Sequence, residues 1–153
     1  LSKLDEGLYD AIILASAGLK RLGLADRIRH SLSAEISLPA VGQGALGLEC
    51  RSNDSALLKL IEPLQHQETS NCVRAERAFN AYLEGGCQVP IAGYATLRND
   101  QIQIEGRVGS VDGKVILKAQ RVGAIEQAEQ LGEQLAQDLL AQGAGDLLKA
   151  LHE

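Results

Sequence analysis

The sequence predicts an α/β fold in residues 1–66 and an α+β fold in residues 67–153. In the first part, short apolar runs alternate with helical stretches, as they do where helices cover a buried parallel sheet. In the second part, an amphipathic helix precedes three strands of alternating polarity, and a long helix follows them. This order is typical of a three-stranded antiparallel sheet packed on helices.

The apolar run YDAIILAS at residues 9–16 favours a strand that is buried on both faces of a parallel sheet. Residues 17–22 favour a helix at the carboxyl end of that strand, and residues 25–32 favour a second helix. Pro39 ends this stretch, because the residue before a proline avoids the helical region. The segment therefore predicts one strand followed by two helices.

A connector at residues 39–44 precedes a second predicted strand, ALGLEC, at residues 45–50. Asp54 or Ser55 can cap the next helix, which we expect to end near Glu62. These elements are too few for an independent α/β domain, so the sequence indicates part of a larger one.

The α+β part is expected to begin with a helix near Gln67, capped by Thr69 or Ser70 and ended by Gly85 in a left-handed conformation. Its apolar side chains recur at helical spacing, which predicts one buried face. They are Cys72, Ala75, Phe79, Tyr82 and Leu83. The charged residues Arg74, Glu76 and Arg77 are interpreted as an ordinary solvated face of the same helix.

Three strands are predicted at residues 91–97, 102–108 and 115–122. Asn99-Asp100 and Asp112-Gly113 are suitable turns between them, and the second dipeptide is a strong two-residue hairpin signal. The middle strand is expected to bury one face and to expose the other. The predicted buried face carries Ile102, Ile104 and Val108.

A long helix is predicted over residues 125–142 and should stop at Gly143, with a short helix over residues 146–151. Its apolar residues lie on one stripe, which should cover the sheet. The stripe contains Ala128, Leu131, Leu135 and Leu139.

The composition excludes several classes of protein. Hydrophobic residues make up 45% of the chain, so it can bury a core, whereas aromatic residues at 3% and a net charge of -5 argue against nucleic-acid binding. No apolar run approaches the roughly 20 residues of a membrane-spanning helix. Cys50, Cys72 and Cys87 lack the spacing of a metal site or a disulfide framework, which favours reduced thiols and a cytoplasmic location. The chain contains no methionine and opens on Leu1, so we expect a piece of a longer polypeptide.

Cys87 is the best candidate for chemistry, because two glycines precede it and Pro90 follows it. An exposed loop thiol of this kind can carry thiolate character, although no neighbouring His or Asp completes a catalytic dyad. Cys50 and Cys72 fall in apolar patterns and are predicted to be small core residues.

Two further motifs are candidate binding sites. Gly42, Gly44 and Gly47 match G-x-G-x-x-G, but the motif lacks the preceding strand and following helix of a dinucleotide site. A hinge is the better interpretation, with Gln43 as a polar contact facing a cleft. Lys20 and Arg21 are expected in the first turns of a helix, where they oppose the helix dipole unless an anion binds.

Three motifs together carry a resemblance to a known family. They are LEGGCQVP at residues 83–90, PAVGQGA at residues 39–45, and DAIILA at residues 10–15 leading into GLKRLG at residues 18–23. In this order they resemble the hydroxymethylbilane synthases, also called porphobilinogen deaminases. The resemblance spans the whole chain but only the C-terminal portion of the family's length.

The resemblance implies a transferase that joins four porphobilinogen units into hydroxymethylbilane and releases ammonia. It implies that Cys87 holds a dipyrromethane cofactor through a thioether, with Arg21 and Gln43 as supporting contacts. Pyrrole side chains are carboxylates, which guanidinium groups bind in a bidentate manner. The implied partners are porphobilinogen and the growing polypyrrole chain, with no nucleic acid, membrane or metal.

The resemblance also implies a domain division. Residues 1–38 would end the second of two periplasmic-binding-protein-like α/β domains, residues 39–66 would form a hinge and a segment returning to the first, and residues 67–153 would form a cofactor-bearing third domain. The family's catalytic aspartate has no counterpart here, so we expect no catalytic residue and no turnover from this chain without the missing N-terminal domains.

Two other functions stay open at the level of the sequence. A non-enzymatic anion-binding or interaction module would leave Cys87 as an inert loop thiol. A thiol redox protein would use Cys87 reversibly, although no resolving cysteine lies near it in the sequence.

Overall fold

A computed structural model describes residues 1–86 and 89–150 of the chain. It contains two compact units, Leu1–Ser33 and Ala34–Glu153. Within the described residues, no helix is long and apolar enough to cross a membrane.

The unit Leu1–Ser33 contains two short helices, α1 (Ser2–Asp5) and α2 (Ser16–Arg21), and a 3-10 turn at Ala25–Arg27. Arg27 forms an ion pair with Asp5. The strand predicted at residues 9–16 is absent, since this fully described unit holds no second strand to pair with it. The helix predicted at residues 25–32 is likewise wrong beyond the single 3-10 turn.

The unit Ala34–Glu153 opens with an irregular segment that leads to helix α3 (Ser55–Ile61) and a 3-10 turn at Glu62–Leu64. The predicted cap is confirmed, because Asp54 Oδ1 accepts a hydrogen bond from the Leu57 N–H at 3.0 Å. The strand predicted at residues 45–50 is wrong: the stretch has no regular structure, and Leu46 is 99% exposed.

The α+β prediction is confirmed. Three strands form one antiparallel sheet in the order β1-β2-β3, with Ile91 opposite Val108 and Gln101 opposite Ala124. Helices precede and follow the sheet. The elements are α4 (Gln67–Tyr82), β1 (Ile91–Arg98), β2 (Gln101–Gly109), β3 (Ile116–Ala124), α5 (Ala128–Ala141) and α6 (Ala144–Lys149).

The core lies between one face of the sheet and the helices α4 and α5. The predicted buried face of β2 is confirmed, and so is the apolar stripe of α5. In α4 the prediction holds except for Tyr82, which is partly exposed and accepts a hydrogen bond from Gln137. The largest fully buried side chains are Phe79, Ile102, Ile104, Leu135, Leu139 and Val108.

The ends of helix α4 differ from the prediction. His66 is the N-cap, three residues before the earliest predicted cap, and its Nδ1 accepts from the Thr69 N–H at 3.4 Å. At the other end, Glu84 takes the left-handed conformation (φ +53°) that was predicted for Gly85. Gly85 is needed for another reason, because a Cβ there would lie 2.2 Å from Asn80 Oδ1.

The two hairpins close differently. Asn99 and Asp100 both have positive φ, as a two-residue type I′ turn requires. The second hairpin is longer than the predicted two residues: Ser110 N–H donates to Val115 O at 2.9 Å across a four-residue loop. At the C-terminus, the predicted stop at Gly143 is confirmed by its φ of +103°.

Candidate functional site

The predicted anchor Cys87 lies outside the described residues, but both ends of its loop are described. Before it, Asn80 and Gly85 exchange two hydrogen bonds, of 2.9 and 3.0 Å, which attach the loop to the end of α4. After it, the Gly109 N–H donates to Pro90 O at 2.9 Å, which attaches the chain to β2. The loop therefore begins and ends at fixed points on the α+β core.

The described ends fit a covalent attachment point. Gly86 is exposed, and among the described residues a Cβ built on it would meet only Val89 Cγ2, at 4.0 Å. The chain is therefore exposed at Gly86, where it enters this loop. A group bonded to a side chain needs an exposed position, which the buried cysteine Cys72 does not have.

Gln43 lies at the tip of a tight turn. Gly42 and Gly44 on either side of it have φ of +70° and +86°, and the Ala45 N–H donates to Gly42 O at 3.1 Å. Left-handed φ values on both sides favour glycine and leave the Gln43 side chain exposed. No strand precedes this turn and no helix opens within it, which agrees with the interpretation that it is no dinucleotide motif.

Two clefts border this turn within the unit Ala34–Glu153. The smaller has a volume of about 300 Å³ and is lined by Gln43 together with Cys72, Glu76 and Tyr94. The larger, of about 1060 Å³, lies beside Leu46 and Leu48 and is mostly apolar. Its basic side chains are those of Lys59, His66 and Arg77.

Arg21 is the last residue of α2, in the unit Leu1–Ser33, and its side chain is exposed. Lys20 and Arg21 therefore sit in the last turn of the helix, so the prediction of a first-turn position was wrong. Positive charge there interacts favourably with the helix dipole. Within the described part of the chain, Arg21 makes no ion pair.

Glu76 is the residue that the sequence interpretation missed. It was assigned to a solvated helix face, but it is only 5% exposed. Its carboxylate accepts two backbone hydrogen bonds, from Gly42 N–H at 2.7 Å and from Ala95 N–H at 2.8 Å. Burial raises the pKa of Glu76, and the two hydrogen bonds oppose that rise. The sequence does contain one sign that Glu76 is buried: it lies four residues after Cys72 and three before Phe79, which places it on the apolar face of the helix.

Arg74, which lies on α4 like Glu76, has a structural partner. Arg74 binds Glu129 of α5 through two hydrogen bonds of 2.6 and 2.7 Å, and this pairing lowers the pKa of Glu129. On β3, Arg121 binds Asp138 in the same bidentate way. Both guanidinium groups tie α5 to a neighbouring element, so they are occupied within the fold.

The two other cysteines lie in different environments. Cys72 is buried, as predicted, and its pKa is raised first by burial and then by Glu76 and Glu68. A thiol in that environment is a poor nucleophile. Cys50 is partly exposed and lies in no strand, contrary to the prediction.

Two sequence models of one family match the chain. The model described as "Porphobilinogen deaminase, dipyromethane cofactor binding domain" matches residues 1–59, and "Porphobilinogen deaminase, C-terminal domain" matches residues 70–141. Arg21 and Gln43 fall within the first match, whereas the second covers most of α4, the Cys87 loop, the sheet and all of α5.

These matches first define the class of the protein: a transferase of tetrapyrrole biosynthesis whose cofactor is dipyrromethane. The chain belongs to the porphobilinogen deaminase family. Its function is of the hydroxymethylbilane synthase type, with porphobilinogen and the polypyrrole chain as the reacting species. The predicted family, enzyme class and cofactor are therefore confirmed.

Proposed function

We propose that this chain supplies the cofactor-binding side of the hydroxymethylbilane synthase site, with Cys87 as the covalent anchor and with Arg21 and Gln43 as contacts. The observation that carries the proposal is the match of residues 1–59 to a dipyrromethane-binding domain, because that stretch contains both Arg21 and Gln43. The exposed position of Gly86 and the attachment of both ends of the Cys87 loop to the α+β core support the anchor.

The chemistry suits these residue types. Bound dipyrromethane supplies the terminal pyrrole to which porphobilinogen units are added. A thiolate at Cys87 is a soft nucleophile that can hold such a group through a stable carbon–sulfur bond. An arginine at position 21 can bind an acetate or propionate group through two parallel hydrogen bonds. The Gln43 amide can donate to a carboxylate or accept from a pyrrole N–H.

We further propose that the chain does not turn over alone. Cys87, once bonded to the cofactor, has no proton to donate, and neither Arg21 nor Gln43 is a general acid that could protonate a leaving amine. The resemblance to the family gives this sequence no counterpart of the catalytic aspartate. Catalysis then requires the N-terminal domains as partners. Because the three cysteines show no disulfide pattern, we also propose that the protein acts in the reducing cytoplasm.

The proposed domain assignment explains the exposed apolar residues. We propose that residues 1–38 end the second of two α/β domains of the periplasmic-binding-protein type and that residues 39–66 form a hinge and a segment returning to the first. Residues 67–153 would form the cofactor-bearing third domain. Ile13 and Leu46 are 84% and 99% exposed in the two segments predicted to be strands. Such side chains would be buried once partner strands paired with these segments.

Intact mass spectrometry after incubation with porphobilinogen tests the anchor. Attack of the thiolate on the aminomethyl carbon forms a C–S bond and releases ammonia, so the expected adduct has the mass of one or more pyrrole units. Because release of ammonia is proposed to need the N-terminal domains, they are present in the incubation. We then expect the adduct on the wild-type chain and on the matched controls Cys50→Ser and Cys72→Ser, and its loss in Cys87→Ser. An adduct that persists in Cys87→Ser, or none on any variant, contradicts the proposal.

A further inference from the structure

The segment that leads to Gln43 is attached to the α+β core at several points. Leu38 is buried, and Pro39 O accepts a hydrogen bond from the Gly93 N–H of β1 at 3.3 Å. Val41 packs against the core, so close to β1 that a Cβ on Gly93 would lie 3.2 Å from Val41 Cγ2. The backbone up to Val41 is therefore held beside the edge strand β1.

Glu76 forms the last of these attachments. Its two carboxylate oxygens bind two different backbone amides, those of Gly42 in the turn and Ala95 in β1. Beyond Gly42 the chain separates from the core, and Leu46 is almost completely exposed. The buried carboxylate thus lies where the attached segment gives way to the exposed turn.

A buried carboxylate at this position has a high desolvation cost. Removing a charge from water is costly, and an apolar side chain of similar size often gives equal or better stability. No apolar side chain, however, could accept the N–H of Gly42 and that of Ala95 at once. The requirement for two acceptor oxygens explains why an acidic residue lies on the apolar face of α4.

We propose that Glu76 is a positioning residue, which fixes the Gly42–Gly44 turn on β1 and thereby holds Gln43 at the edge of the smaller cleft. The importance of Gln43 rests on the proposed function, whereas the attachment of the turn by Glu76 does not. The titratable groups that share the smaller cleft with Glu76 are Glu68 and Cys72 on α4 and Tyr94 on β1, and residues 39–45 contribute none.

Solution NMR of the chain tests this directly. If both amides bind one carboxylate, the proton shifts of Gly42 and Ala95 change together with pH and share one midpoint, although the residues are far apart in sequence. In Glu76→Gln this common titration disappears. The matched control Glu68→Gln removes a neighbouring carboxylate of the same helix and keeps the titration.

Hydrogen exchange gives the second measurement. The side chain of Glu76→Gln has only one acceptor oxygen and turns an NH₂ group toward one backbone N–H. We expect amide exchange at residues 42–45 to accelerate at least tenfold, while exchange in the paired strands β2 and β3 changes less than twofold. This local pattern would not follow from a general loss of stability.

Two results would overturn the proposal: independent midpoints for Gly42 and Ala95 in the wild-type chain, or uniform acceleration of exchange over the sheet and the turn. The midpoints are measured on the wild-type chain, so they test the proposal even if Glu76→Gln fails to fold. Gln43→Ala separates the two proposals. It leaves the common titration intact, and if it also leaves porphobilinogen adduct formation unchanged, the proposed role of Gln43 fails while that of Glu76 stands.

Discussion

Apolar segments form strands in the α+β part of the chain but not in the part that precedes it. In the α+β part, alternating apolar residues form three paired strands with one buried face. At residues 9–16 and 45–50, equally apolar runs form no strand, and Ile13 and Leu46 are exposed. A strand exists only where its backbone N–H and C=O groups find partners, so an apolar pattern predicts a strand only if the chain also supplies its neighbours.

The largest expected effect comes from the core of the α+β part. In Phe79→Ala we expect a loss of about 3–5 kcal/mol in the free energy of unfolding, because the buried ring fills the space above two glycines. Gly93 and Gly106 lie against the ring and have no side chains that could fill the cavity. Urea unfolding followed by circular dichroism measures the change.

Ile13→Ala is the matched control, since it removes an apolar side chain from the other region. Ile13 is 84% exposed, so its removal should change the unfolding of the α+β core by no more than about 0.5 kcal/mol. A loss above about 2 kcal/mol in Ile13→Ala would contradict the comparison.

A substitution at the contact between α4 and α5 is expected to give the next largest change in the free energy of unfolding. A Cβ on Gly132 of α5 would lie 2.2 Å from Ala75 O of α4. The carbonyl oxygen is a backbone atom and the Cβ is fixed to the backbone, so neither can rotate away. We expect Gly132→Ala to cost about 1–3 kcal/mol in the free energy of unfolding. Gly145→Ala in α6 is the control: its nearest neighbour, Leu140 Cδ2, is 3.6 Å away, so the variant should be neutral or more stable.

The raised pKa of Glu76 predicts that the stability of the folded chain depends on pH. Its folded pKa lies above the ordinary value of 4.5, so its contribution to stability is fully present below 4.5 and is lost as pH rises through the folded pKa. The advantage of wild type over Glu76→Gln in unfolding free energy should therefore shrink from acid toward neutral pH. Urea midpoints measured across that range check the sign, and an advantage that grows with pH would contradict it.

Much of the α+β fold could be predicted because its signals are local. Helical spacing identified the buried faces of α4 and α5, and the Asn99-Asp100 pair identified a turn that both positive φ values confirm. The cap of α4 was missed, since His66 lies outside the usual capping residues. The longer second hairpin depends on Ser110 and Asp112 side chains that bind the loop backbone.

The site could be predicted less completely, because its geometry depends on contacts between distant residues. The motifs identified the family, and the flanking glycines identified the exposed turn at Gln43. Glu76 was missed because its partners, Gly42 and Ala95, are backbone groups 34 and 19 residues away. A charged residue at apolar spacing was the only local sign of this attachment.

The smallest predicted effect concerns the exposed ion pair between α4 and α5. Arg74 lowers the pKa of Glu129 by hydrogen bonding and by its charge, so the pair stabilises the fold above the ordinary carboxyl pKa and loses that effect as pH falls through the lowered value. In Arg74→Ala the pKa of Glu129, followed by NMR titration, should rise toward its ordinary range, whereas Arg98→Ala should leave it unchanged. Because both side chains are about half exposed, added salt should reduce the difference between wild type and Arg74→Ala. If Glu129 titrates identically in wild type and in Arg74→Ala, the ion pair contributes nothing to holding α4 and α5 together. The contact between the two helices would then depend on their close approach at Gly132.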